Sequence, residues 1–184
     1  MTSHERLSAA AWCHSAQTCP VVSACRSPQE TPCLKVARAH EDKLTACAEI
    51  EAIADALPRR PDQRACLSLA GRLVPMLRQA HRYEEDVLFP AFEAGVANPA
   101  AESSIRRLKK EHVEDRCGAQ DISEALMAIG QGTPIANPEA LGFMLRAFFE
   151  TLRRHIAFER EHILSASRWP DADRGLIPAS RHIH

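Results

Sequence analysis

Two stretches of this chain repeat one spacing: a histidine, then, some forty residues on, a second histidine followed at the fourth position by glutamate. His40 precedes the pair His81 and Glu85, and His112 precedes the pair His155 and Glu159, with 41 and 43 residues from lone histidine to pair. Imidazole and carboxylate are common ligands of iron. Residues four apart on an α-helix stand one above the other, about 6 Å along the axis, so each pair can aim both groups at one point. A buried carboxylate is costly unless it is paired or bound to a metal, and Glu85 and Glu159 fall on apolar stripes beside histidines. A single histidine on such a stripe is usually a hydrogen-bonded core residue. Four of them with two glutamates predict a metal centre.

The donor set narrows the metal. It offers nitrogen and oxygen and no thiolate, which suits iron or manganese better than a structural zinc. Six protein ligands are too many for one ion with an open position; divided between two ions they give each about two histidines, with the carboxylates bridging. The expectation is two non-haem irons joined by an oxo or hydroxo bridge, with manganese or a mixed pair as the alternative. The free positions would take a small diatomic or a peroxide, and the electron donor is not identified by the sequence.

Helices must position these groups. A chain of 184 residues with only seven glycines, and rich in Ala, Leu, Arg and Glu, favours an all-α fold over a sandwich or barrel. The first helix is expected from Thr31-Pro32 to about Leu57, with an inner seam of Ala37, His40, Leu44, Cys47 and Ala54. The second begins near Asp62, carries Leu77, His81, Glu85 and Leu88 on its stripe, and is expected to kink at Pro75. The third follows Asn98-Pro99, carries Leu108, His112 and Ala119, and stops at Gly130. The fourth follows Asn137-Pro138, carries Leu152, His155 and Glu159, and ends by Trp169-Pro170. Short connections predict an up-down-up-down antiparallel four-helix bundle over residues 31–168. Residues 1–30, with Cys13, Cys19 and Cys25, read as a loosely ordered tail, and residues 169–184 as a polar one.

Charge and composition remove other classes. The 23 basic and 24 acidic residues nearly cancel, leaving no footprint for nucleic acid or an anionic membrane, and Arg106, Arg107, Lys109 and Lys110 read as a solvated helix face. No apolar run is long enough to span a membrane. The first residues, MTSHERLSAAAWC, lack the apolar region of a secretory signal, so a cytoplasmic protein is expected. Seven cysteines without a Cys-x-x-Cys pair support neither a disulfide framework nor a zinc ribbon, and Cys47, Cys66 and Cys117 are expected to be at least half-buried. The tail thiols could form a redox relay, or with His14 an accessory metal site, although their irregular spacing favours a plain tail.

The order His40, His81-x-x-x-Glu85, His112, His155-x-x-x-Glu159, with Leu-Phe-Pro after the first pair, resembles the hemerythrin-like HHE cation-binding family over about residues 31–168. The resemblance implies a four-helix bundle around a non-haem di-iron centre, with the four histidines as terminal ligands and Glu85 and Glu159 as bridges. Two departures separate the chain from oxygen-carrying hemerythrins. Arg116 stands where they have another histidine, and Glu159 stands in place of an aspartate one position further on. The four-histidine, two-glutamate set is similar to that of the di-iron proteins that repair iron centres, whose paired-cysteine amino-terminal domain has no match here.

Four neighbours carry lesser expectations. Glu84 is the alternative to Glu85, Asp115 is a candidate acceptor for a ligand imidazole, Arg116 either holds an anion or turns to the surface, and His162 is exposed or supports a ligand. Functionally, an enzyme reacting with oxygen, peroxide or nitric oxide stands beside a module that stores, senses or carries without turnover. A ferritin-like site ranks lower, because Glu159 to His162 supplies only one of the two Glu-x-x-His pairs it needs. A metal-free interaction bundle is the remaining class.

Overall fold

The computed structural model describes residues 32–95 and 99–165, and every regular element among them is helical. In chain order these are α1 (Pro32–Ala56), α2 (Gln63–Tyr83), a π-helical turn (Glu84–Leu88), α3 (Phe89–Gly95), α4 (Pro99–Gly130), α5 (Pro138–Glu159) and a second π-helical turn (Arg160–Leu164). The stretch 1–30, with the three tail cysteines and His14, and the stretch 169–184 lie outside the described residues. No described helix is long and apolar enough to cross a membrane.

The helix starts follow from local chemistry. Asp62 and Asn137 precede α2 and α5 in extended conformation, and their side chains accept from the amides of Ala65 and Ala140, each three residues on. Those bonds satisfy donors that the first turn leaves free, and Pro138 supplies a helical φ without an N–H to lose. Alanine at Asn137 is expected to lower stability by about 1 kcal/mol, measured as a shift in urea midpoint. Pro75 lies within α2, which runs as one helix from Gln63 to Tyr83. At the C-terminal end of α4, Gly132 takes φ +96°, a conformation costly for any residue with a Cβ. Gly130 permits close approach of α2, since a Cβ there would come 2.5 Å from Leu67 Cγ.

Both π turns follow the histidines on their helices. Pro90 has no N–H to give Asp86, so an α-type bond is missing there, and the Phe89 amide instead reaches five residues back to the Glu84 carbonyl. The Ser165 amide does the same to Arg160.

Contacts join α1 to α2, α2 to α4, α4 to α5 and α5 to α1. Ion pairs between α1 and the α5 arm run in opposing order: Glu41 meets Arg160, Glu51 meets Arg153 and Asp55 meets Arg146, at 2.8, 2.6 and 3.0 Å. The apolar interior divides into two clusters. One holds Ile50, Leu69, Leu77, Ile122, Leu126, Leu145 and Leu152. The other holds Val36, Leu88, Phe89, Ile105, Leu108 and Ile163. On each of the four long helical arms the residues between the clusters are polar: His40 and Lys43, His81 and Glu84, His112 and Asp115, and His155 and Glu159. That layer is buried between two slabs of aliphatic and aromatic side chains.

The thiols divide differently from expectation. Cys47 and Cys66 are fully buried, and burial pushes the Cys47 thiol up to about 11. Cys117 is exposed rather than half-buried, because it lies on the outer face of α4. Among the described cysteines, Cys117 is expected to alkylate fast in folded protein while Cys47 and Cys66 wait for unfolding. Mass mapping after a short pulse of iodoacetamide checks this.

Candidate metal centre

Three parallel imidazoles form the middle of the polar layer. The ring centroids of His81 and His112 are 4.0 Å apart, those of His112 and His155 5.1 Å, and those of His81 and His155 5.7 Å. Glu84 completes a group with them in which one ligand atom from each residue lies within 4.8 Å of every other. A second group, under the same limit, is His40, Glu84 and Glu159. Glu84 belongs to both.

Of the six residues expected to bind metal, His40, His81, His112, His155 and Glu159 fall in these groups, and Glu85 does not. The carboxylate that joins His81 comes from Glu84, the lesser candidate. Three residues beyond His81 a helix has turned about 60° to one side of it, and four residues beyond about 40° to the other. The two positions therefore flank one stripe, and packing decides between them. Here Glu84, at the start of the first π turn, is buried against Lys43 of α1. Glu85 turns toward α4, is about a third exposed, and accepts from His112 Nδ1 at 2.7 Å. That bond leaves the lone pair of the neutral His112 ring on Nε2, toward the group.

The buried polar atoms divide unevenly. Among the described residues, both ring nitrogens of His81, both of His155, Nε2 of His112 and Oε2 of Glu84 lack a hydrogen-bond partner. His155 Nδ1 lies 2.8 Å from Asp115 Oδ2, and His112 Nε2 lies 3.1 Å from Glu84 Oε2, without the alignment of a hydrogen bond. Burial is the largest influence on His81, and with Lys43 and His112 nearby it holds the ring far below its ordinary pKa. An uncharged imidazole with free lone pairs is the form a metal requires. This group therefore fits a cation: it presents nitrogen and oxygen donors, six of which have no hydrogen-bond partner among the described residues.

The second group is largely paired, with Glu159 Oε1 and the shared Glu84 Oε2 left open. Arg160 Nε donates to His40 Nδ1 at 3.3 Å, so His40 carries its proton on Nε2 and donates to Glu159 Oε2 at 2.7 Å. Lys43 Nζ donates to Glu84 Oε1 at 2.7 Å, and both side chains are buried. Burial works against both charges, but Lys43 keeps its pKa raised because Glu84, Glu159 and Asp115 surround it, and the ammonium in turn holds Glu84 well below the carboxylate range.

The remaining candidates lie around these groups. Asp115 is buried beside His155, where an acceptor for a ligand imidazole was expected. Arg116 is more than a third exposed, with Nη1 3.7 Å from Glu85 Oε1. His162 is exposed and stacks on Phe158 at 3.9 Å between centroids. Lys43 is the residue that spacing arguments missed. Its signal was a charged residue one turn from His40 on the inner seam of α1.

Residues 35–166 match the family model described as the hemerythrin HHE cation binding domain, over two thirds of the chain. No match was found among curated proteins or among solved structures.

Proposed function

Because the chain belongs to the hemerythrin HHE cation-binding domain family, we propose that its buried polar layer holds non-haem iron and reacts with oxygen, peroxide or nitric oxide. The observation that carries this reading is the set of unpartnered nitrogens on His81, His112 and His155 converging with Glu84. In a metal-free structural role those atoms would cost stability and return nothing. The opposing order of ion pairs between α1 and the α5 arm, with the four long helices in contact around the layer, supports an up-down-up-down antiparallel four-helix bundle as the scaffold.

His81, Glu84, His112 and His155 are the proposed ligands of one position, and His40, Glu84 and Glu159 those of a second. Glu84 takes the bridging part first expected of Glu85, and its place in both groups gives the centre two candidate metal positions that share one carboxylate. Bound iron would supply one-electron chemistry and an open coordination position, which protein side chains lack. The chain's own residues prepare the site. Glu85 fixes the His112 tautomer, Asp115 stands at His155 Nδ1, and the two apolar clusters keep bulk water away on either side. In this reading the protein works in the cytoplasm under oxidative or nitrosative stress, or in iron-centre repair, with electrons from a separate donor.

Anaerobic loading with ferrous iron, removal of excess, and measurement of iron per chain with the optical spectrum before and after oxygen tests the reading. Retained iron whose spectrum changes with oxygen, and turnover of peroxide or nitric oxide, are expected. Retained iron without turnover would favour a binding or sensing module, and no retained iron would end the metal reading.

A further inference from the structure

The two metal positions are unequal on the page, and Lys43 is the reason. Among the described residues, three carboxylates lie almost fully inside the layer, Glu84, Glu159 and Asp115, together with one ammonium, Lys43. The half-buried acids at the edge have arginines of their own. Glu85 faces Arg116 at 3.7 Å and Glu111 faces Arg107 at 2.7 Å, while Arg160 is engaged by Glu41 at 2.8 Å. With the imidazoles neutral, as metal ligands are, the inner layer carries a net charge of minus two. One divalent ion brings it to zero, and a second would leave it strongly positive in a medium that penalises uncompensated charge.

Hydrogen bonding makes the same division. In the His81, Glu84, His112 and His155 group, both nitrogens of His81 and of His155, His112 Nε2 and Glu84 Oε2 have no hydrogen-bond partner among the described residues. In the other group Glu159 Oε1 is also open, but His40 is bonded through both nitrogens, Glu159 Oε2 accepts from it, and Glu84 Oε1 is held by Lys43 Nζ.

We propose that Lys43 is a built-in second cation: one divalent metal enters the three-histidine group, and the Lys43 ammonium occupies the place beside Glu84 that a second metal would need. This rests on the metal reading above and sharpens it. The resting chain holds one metal, and a second binds only by displacing Lys43 from Glu84 and breaking the His40 to Glu159 bond. Replacing a buried, hydrogen-bonded ion pair makes that second step weaker by about a hundredfold or more. Glu84, held by the ammonium on one oxygen, offers the other to the first metal.

The test is an anaerobic titration of ferrous iron into the full chain, following bound metal per chain, on wild type, Lys43→Met, Lys43→Gln and His81→Leu. The expected wild-type result is one tight step and a second weaker by about a hundredfold or more. In the Lys43 variants the second step should tighten at least about tenfold. In His81→Leu the tight step should be lost. Two equally tight steps in the wild type would overturn the proposal while leaving the metal reading standing, and this result needs no variant to fold. A second step unmoved in both Lys43 variants, with helical content retained, would overturn it as well. No binding by the wild type at all would overturn the metal reading, and this proposal with it.

Discussion

Leucine at His81 is expected to raise the stability of the metal-free chain by about 1–3 kcal/mol while removing tight metal binding. His81 is fully buried, and neither of its ring nitrogens has a hydrogen-bond partner among the described residues. Leaving such atoms dry and unpaired costs about 1–3 kcal/mol each, whereas leucine fills a comparable volume with nothing to satisfy. Some of the gain is returned through imperfect packing and the lost stacking on His112. Metal affinity moves the other way. Changing a residue that merely orients a ligand costs ten- to a hundredfold, so loss of a direct donor is expected to cost about a hundredfold or more.

Two measurements separate the readings: urea midpoints after treatment with chelator, and the same midpoints with metal at about a thousand times the dissociation constant. Wild type should gain about 4 kcal/mol from metal at that excess, and His81→Leu almost none. Were His81 an ordinary core histidine, leucine would lower stability in both conditions and metal would change neither protein. A site that costs its own fold free energy is the sign of a residue kept for binding.

Proline and its caps made the helix starts legible. Asp62, Pro99 and Asn137-Pro138 act within one turn, and the structure begins α2, α4 and α5 where they say. The histidines were legible for the same kind of reason: His40, His81, His112 and His155 sit in register with aliphatic neighbours, and helical period alone turns them inward. The carboxylate beyond His81 was not. Glu84 and Glu85 are adjacent, both acidic, and both within reach of that stripe, so the choice depends on what the facing helices offer. Lys43 on α1 and His112 on α4 make it, and neither is near in sequence. The π turns escaped as well, since a proline after Leu-Phe signals a break without saying whether the helix stops or carries an extra residue. The inner charge balance needed all four long helices together.

Leucine at Glu84 is expected to be the most destabilising single change in the layer, at about 3 kcal/mol or more, because it strands Lys43. The ammonium is fully buried and loses its one short carboxylate partner, leaving Glu159 and Asp115 to act on it from further away. Removing the ammonium too should restore most of the loss, since Lys43→Met with Glu84→Leu exchanges a buried ion pair for apolar groups of similar length, a swap that is often neutral. The four midpoints of this double-mutant cycle, measured after chelation, give the coupling directly, expected at about 2 kcal/mol or more. The sign contrasts with that at His81, one turn away on α2: there removal of the polar group stabilises, here it destabilises, because one group waits for a partner and the other has it. If the double variant stays as unstable as Glu84→Leu alone, the loss comes from the shape of the packing rather than from the stranded charge, and the ion pair is not what holds the second position.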